Sequence, residues 1–531
     1  MKKTFALLLV LAMLAAMLAG CSDPGTTDPG TTTDPGTTTP EPGTTTPEPT
    51  GRTDVNIPLA SIGNTLDPHD AGLMVDQYVI NQIYEPLWYV EDDTSLTPRL
   101  ATGCTVNEAG NEITVTLRDD VTFQNGEKFK ASDVVYSYQR CLDNFYRVND
   151  TAGLVSVEAL DDTTVKFTLD GPNSVFLTSM NSIWIVSEKA VEEAGTQFGA
   201  IPTLAGTGPY ILDSYDQNTK IVLKANPDYY RGEATIKTIT FTPMADSSTQ
   251  LLAFQNGEFD FCIIPSADWN NVVASGNFTT VQGPSKHVSY IGLNVGKPDN
   301  PLYDVRVRQA LHYCIDKESM CLVAADGFAD VATHYVRTGY FEGAQEVGID
   351  FSYNPEKAKE LLAEAGYADG CDVGTISVIN GGGGRYIKIA QLLQQNMQDV
   401  GIKCKIEIGE TGAMLTDIEQ NHTYDMFISG MTYSSSLADA YSAFGMFDTA
   451  EVQLKSNENI NAQWVDDMFV KARGEMDTEK RNAIYAEVEA YIHDQCCYLP
   501  VIHIQNLYAW NKNLNAAAPL NNFEVYNWSW N

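Results

Sequence analysis

An α/β fold is predicted by three features of the sequence: strand-like runs in which polar and apolar residues alternate, helix-like runs with apolar residues three and four apart, and the interleaving of the two. The interleaved region runs from Asp54 to Asn531 without a second low-complexity break, too long for one ordinary core, and predicts several lobes. In chain order, residues 112–118 (EITVTLR) alternate as a half-buried strand, and residues 121–129 hold Asn125-Gly126, the dipeptide that a tight hairpin turn prefers. Ser132 is expected to cap the next helix, with Asp133 close to its positive end. A second helix has Asn354 as cap and Pro355 at its first position. It has Ala358, Leu361, Leu362 and Ala365 on one face, and Gly366 to stop it. A third covers about 386–400 with Ile389, Leu392, Leu393 and Met397 inward, followed by the strand KCKIEI, and a fourth covers about 478–494.

Ahead of this body, Lys2 and Lys3 precede an unbroken apolar run over residues 5–19, the pattern of a secretory leader. A spanning helix needs roughly 20 apolar residues, so the run is short for an anchor. Leu18-Ala19-Gly20-Cys21 resembles a lipobox, in which cleavage leaves Cys21 as a lipidated N-terminus. Residues 22–51 repeat DPGTT and PEPGTTT units without one aliphatic or aromatic side chain, the composition of a solvated spacer. A folded body tethered outside a membrane is the expectation.

Removing residues 1–20 leaves 31 basic against 69 acidic residues, a net charge of −38 that opposes binding to nucleic acid. Nine cysteines follow Cys21, an odd number with no metal-site spacing, and they read as small buried hydrophobes, the adjacent Cys496 and Cys497 included. The seven histidines show no HExxH spacing and no GxSxG elbow accompanies them; His69 alone makes a poor metal site. Gly381-Gly382-Gly383-Gly384-Arg385 lacks the GK[ST] of a phosphate loop and reads as a joint between strand and helix. No enzyme, cofactor or metal is expected; a secreted glycosidase using two carboxylates is the enzyme alternative.

The run TVTLRDDVTFQNGEKFKASDVVYSYQR at residues 114–140 is similar to the signature of the family 5 extracellular solute-binding proteins, components of ABC importers that bind oligopeptides, dipeptides or nickel. Seven further matches fall in the family's order: NTLDPH (64–69), YEPLW (84–88), GTGPY (206–210), NPDYYRG (226–232), FQNGEFDF (254–261), DVRVRQALHYCIDKE (304–318) and PEKAKELLAEAGY (355–367). The resemblance implies a periplasmic-binding-protein-like fold, type II and cluster C-like, with two hinged lobes plus an inserted domain. It places lobe I at 54–97, 203–289 and 505–531, the inserted domain at 98–202 and lobe III at 290–504. Crossing strands are expected near 290–295 and 501–506, a construction that permits closure around a ligand. The partners implied are a peptide or small solute, an ABC permease and a lipid anchor, with the protein a monomer.

It also implies where ligand is held. The stretch after the NTLDPH-like turn (Ala71, Gly72 and Met74) is expected to offer backbone to an extended peptide as an added strand. Glu410 and Thr411 follow the KIEI strand, and Gly430, Met431, Thr432, Tyr433 and Ser434 follow YDMFIS. Peptide binders of the family commonly carry an aromatic directly after that glycine and an Asp three residues beyond it, which holds the ligand's α-ammonium; this chain has Met431 and Ser434 there, with Asp439 as a possible replacement acid. A hydroxyl does not offset a buried ammonium. The expected ligands are therefore peptides, held differently or blocked, with neutral oligosaccharides stacking on Tyr433 as the alternative.

Overall fold

The computed structural model describes residues 51–531 apart from 64, 72–73, 92–94, 149, 217–218, 338–345, 380–383, 433–459, 461 and 519–522. The lipidation candidate Cys21 and the spacer lie outside the described residues, as do Gly72, Tyr433, Ser434 and Asp439.

Locally, the chain follows its sequence signals closely. Phe123 and Glu127 close the Asn125-Gly126 turn with a backbone bond of 2.8 Å, and Gly126 supplies the positive φ of 84° that the turn requires. Asn354 accepts the Lys357 N–H at 3.0 Å and starts the helix Pro355–Glu364, which buries Ala358, Leu361 and Leu362. Arg385–Asp399 buries Ile389, Leu393 and Met397 as expected, with Leu392 partly buried. Ser132 is a correction: it lies inside the helix Ala131–Asn144, whose cap position is Lys130. The Asp133 carboxylate reaches back to the Lys130 N–H at 3.0 Å, so the acid, not the serine, satisfies the helix start.

Three sheets of four or more strands organise the described residues. Asp54–Leu59 pairs in parallel with Thr238–Pro243, and Lys220–Ala225 and Tyr210–Asp216 complete that sheet. Ala101–Val106, Glu112–Leu117, Thr164–Leu169 and Leu154–Asp161 form an antiparallel sheet in that order. The third sheet is built round two long antiparallel strands, Phe278–Leu293 and Tyr498–Asn511, with Met426–Thr432, Cys371–Ile379 and Ile402–Gly409 added on one side and Phe261–Ile263 on the other.

Each sheet has its own core. Val55, Ile57, Ile221, Leu223, Ile239 and Phe241 belong to one, with Tyr508, Trp510 and Trp528 returning to it from the C-terminal end. Ile113, Val115, Val165 and Phe167 belong to a second. The largest gathers Val288 through Ile502, including Cys314, Cys321, Cys371, Cys496 and Cys497 as buried free thiols. Among the described residues Cys104 alone is an exposed thiol, which matches the reading of most cysteines as small hydrophobes.

The two long strands pass from one core to another. Phe278 to Pro284 pair with Asn511 to Gln505; pairing resumes at Val288 opposite His503, after a register shift. At this break the Ser285 hydroxyl takes over from the ladder, donating to Ile504 O at 2.8 Å and accepting the His287 N–H at 3.1 Å. A local bulge of this kind bends a strand pair without ending it.

Candidate functional site

A cavity of about 540 Å³ opens beside this break, a size typical of small-ligand sites. Its lining comes from separate cores: Ile57, Leu59, Val75 and Tyr78 from the N-terminal sheet and helix, Ile263 at the end of the Phe261 strand with Ile264 to Ala267 after it, Ala324 to Asp326 and Phe328 from the other side, and Ile504 to Leu507 along the crossing strand. The floor is aromatic. Phe261 stands 5.3 Å from Trp528 and 5.8 Å from Phe523, and Tyr78 stacks on Phe523 at 4.8 Å. Interlocked rings of this kind resist rearrangement and offer a preformed apolar surface. Ile263, which is 50% exposed, extends that surface toward solvent.

The opposite end is cationic. Arg385 and Lys388 occupy the first turn of the helix Arg385–Asp399, which carries no acid there, and both line the cavity. The Arg385 Nη2 donates to His287 Nε2 at 3.3 Å, and His287 Nδ1 lies 3.1 Å from the Thr432 hydroxyl. That pattern requires the neutral Nδ1–H tautomer, and burial, reinforced by the Arg385 charge, pushes the imidazole pKa down to about 3. His287 is thus a neutral prop between the strand and the guanidinium. The Arg385 Nε is buried with no hydrogen-bond partner.

Gly430 makes this packing possible. A Cβ there would fall 2.3 Å from the Tyr386 hydroxyl and 2.4 Å from His287 Nε2, so any side chain would displace one or both. Gly430 and Thr432 pair with Ser289 and His287, which brings these two candidates to the cavity rim through Arg385. Met431, between them, packs partly buried against the largest core. Ala71 is 2% exposed and its carbonyl already accepts Arg147 Nη2 at 2.8 Å. Met74 opens the helix Met74–Ile83, while Glu410 stands at the cap position of Thr411–Thr416. Ala71, Glu410, Gly430, Met431 and Thr432 are not among the residues that line the cavity. Arg385, Lys388, Tyr78 and Ile263, which do, were not singled out as ligand contacts. The available signal was the pair of basic residues in a helix first turn, against the usual preference for acids there.

A larger recess of about 720 Å³ is lined wholly by residues 315–353 and His493. It draws on one core and spans no strand crossing, and two of its four acids, Asp316 and Asp350, are bonded to neighbouring serines, Ser319 and Ser352. His69 is also committed structurally: Nε2 lies 2.8 Å from Trp184 O and Nδ1 2.8 Å from Arg140 Nη1. Among the described residues no cluster of three His, Cys, Asp or Glu side chains is arranged to hold a metal, and no helix is long and apolar enough to cross a membrane.

Comparison with known proteins gives the family of the chain. The family model for bacterial extracellular solute-binding proteins, family 5 Middle, matches residues 95–451. The glutathione-binding protein GsiB of Escherichia coli K12 is 30% identical over 477 residues, covering 87% of this chain and 91% of that protein. Among solved structures, the ABC transporter substrate-binding protein CtaP of Listeria monocytogenes superposes with a TM-score of 0.81 at 22% identity, over 90% of this chain and 99% of that one. The periplasmic binding protein DppA of Helicobacter pylori, in complex with the peptide STSA, gives 0.76 at 22% identity over 90% and 98%. With the fold of type II periplasmic binding proteins and a family match over most of its length, the chain belongs to the family 5 bacterial extracellular solute-binding proteins, the substrate-binding proteins of ABC transporters.

Proposed function

We propose that this chain captures a short peptide outside the cytoplasmic membrane and presents it unaltered to an ABC permease. The observation that carries the reading is the cleft of about 540 Å³, lined from separate cores astride the register break of two crossing strands. Lobe I is 54–97 with 203–289 and 505–531, lobe III is 290–504, and 98–202 is the inserted domain. A ligand that touches both lobes stabilises the closed state by its differential affinity, and closure is what a permease detects. A glutathione-binding relative and a peptide-bound fold neighbour support a peptide as the class of solute. Cys21 is the lipidated residue, residues 22–53 are the tether and the protein acts as a monomer.

Native mass spectrometry of the chain purified from its own host tests this: a peptide recovered intact at one per protein is expected, and its removal should lower the melting temperature. A chain that hydrolyses what it retains would overturn the reading. Cys21→Ala should move the protein from the membrane fraction to the medium.

A further inference from the structure

The recess of about 720 Å³ holds a group for which peptide capture has no use: Lys317, which lines it together with Val331, Thr333 and His334. A chain of hydrogen bonds fixes the state of its amine. The Cys496 thiol donates to His493 O at 3.4 Å, so its hydrogen is spent and Sγ accepts from His312 Nδ1, 3.7 Å away. His312 is neutral, held well below its usual range by burial, so its one ring proton is on Nδ1 and Nε2 accepts from Lys317 Nζ at 3.0 Å. The amine also donates to Ala332 O at 2.7 Å. Two acceptors match the two hydrogens of a neutral amine and leave its lone pair unused; an ammonium would need a third. Among the described residues no carboxylate forms an ion pair with Lys317, and Asp316 and Asp350 hold Ser319 and Ser352 instead. Burial also opposes the charge and outweighs Cys496, Cys321 and Asp350, which favour it, so the pKa falls to about 7.

We propose that Lys317 is a second, covalent binding site of this chain, which takes uncharged aldehydes from the recess and holds them reversibly as imines. A neutral, desolvated lysine amine is the nucleophile that carbonyl carbon requires. The nitrogen lone pair forms the C–N bond, the carbonyl π pair becomes a hydroxyl, and that hydroxyl leaves as water when the C=N bond forms. Both amine hydrogens end in the water, nothing is oxidised or reduced, and hydrolysis releases the aldehyde unchanged. The lining sets the class of ligand. Asp316, Glu318, Glu346 and Asp350 disfavour an anionic carbonyl such as a 2-oxo acid, while Ile315, Val331, Ile349 and Phe351 suit an alkyl chain. His334, 7% exposed in the same wall, has its Nδ1 buried without a partner, a polar atom that carries a desolvation penalty until a ligand atom meets it. His312 acts as a positioning residue: it takes one amine hydrogen and so keeps the nitrogen uncharged.

The test treats the full chain in detergent at pH 7.5 with butanal and sodium cyanoborohydride, which reduces an imine to a stable secondary amine, and maps the butylated lysines by peptide mass spectrometry. An ordinary exposed lysine is only about a thousandth neutral at that pH. Lys317 should therefore be labelled at least about tenfold faster than the exposed Lys220 and Lys403, in spite of its burial. The preference should vanish in urea, where every lysine titrates alike. Glyoxylate, an anionic aldehyde, should favour Lys317 over the same surface lysines at least about tenfold less than butanal does. Lys317→Met should lose the fast label and keep the slow ones; should that variant fail to fold, the wild-type map in buffer and in urea decides alone. Labelling spread evenly over surface lysines, or an unlabelled Lys317, overturns the site. Glyoxylate selecting Lys317 as strongly as butanal overturns the uncharged class. The recess draws on one core and lies outside the cleft, so none of these results bears on the peptide reading.

Discussion

Lys317→Met tests how the largest core tolerates a buried amine. Lys317 is 7% exposed; its Nζ donates to Ala332 O at 2.7 Å and lies 3.0 Å from His312 Nε2. Burial pushes its pKa from 10.5 down to about 7, slightly offset by Cys496, Cys321 and Asp350. The folded pKa lies below the unfolded one, so between pH 7 and 10.5 the unfolded chain binds more protons and stability rises with pH. Integrating from pH 7 to pH 9 gives about 2 kcal/mol of stability gained by wild type through this one group. His312 is held well below its usual range and is neutral throughout that window. The thiols, raised by burial, act in the opposite sense in both proteins and largely cancel in the difference between them. Urea unfolding of wild type and Lys317→Met at pH 7, 8 and 9 should therefore show the variant's advantage shrinking by about 2 kcal/mol across the series. Parallel pH profiles would refute the reasoning, because they would mean that the amine titrates alike in both states.

Gly430→Ala should weaken ligand retention at least about tenfold and lower stability by about 1–3 kcal/mol, since its Cβ meets Tyr386 and His287; calorimetry and thermal melting read the two effects separately. Ser285→Ala, at 4% exposure, removes the partner of both Ile504 O and the His287 N–H and should cost about 1–3 kcal/mol in urea unfolding, with no change expected for Ser352→Ala on the surface. Asn354→Ala should lose about 1 kcal/mol through its helix cap, a loss that thermal melting detects, with ligand retention unchanged.

What the sequence made legible was local. Asn354, Pro355 and Gly366 bound one helix because a cap, a fixed φ and a left-handed stop act within a few residues, and Gly366 has the expected positive φ of 93°. The Ser132 misreading arose because two polar residues suited to a helix start sit side by side, and the bond goes to Asp133. The crossing strand Phe278–Leu293 begins earlier than the expected 290–295, and Ser285 carries the pairing past its irregular stretch. The cleft was least legible. Ile57, Tyr78, Phe261, Arg385 and Asn506 converge only because five separate elements meet there, and no periodicity records that meeting. Gly384-Arg385, read as a joint, is a joint with a charge on it.

On the proposed function, the cleft and the crossing strands share residues, which bears on how capture is signalled. His287 supports Arg385 through its ring and is held through its backbone by Ser285, inside the register shift of the crossing strands. Two register shifts, between Pro284 and Val288 and between Ser289 and Tyr290, separate regular ladders from Phe278↔Asn511 to Pro284↔Gln505 and from Tyr290↔Pro500 to Gly292↔Tyr498, so the irregularity is confined to a few residues. On the proposed reading, a ligand held in the cleft also restrains the segment that passes between the cores. On that reading affinity and closure need no long pathway between them, since His287 is two residues from the hydroxyl that spans the break.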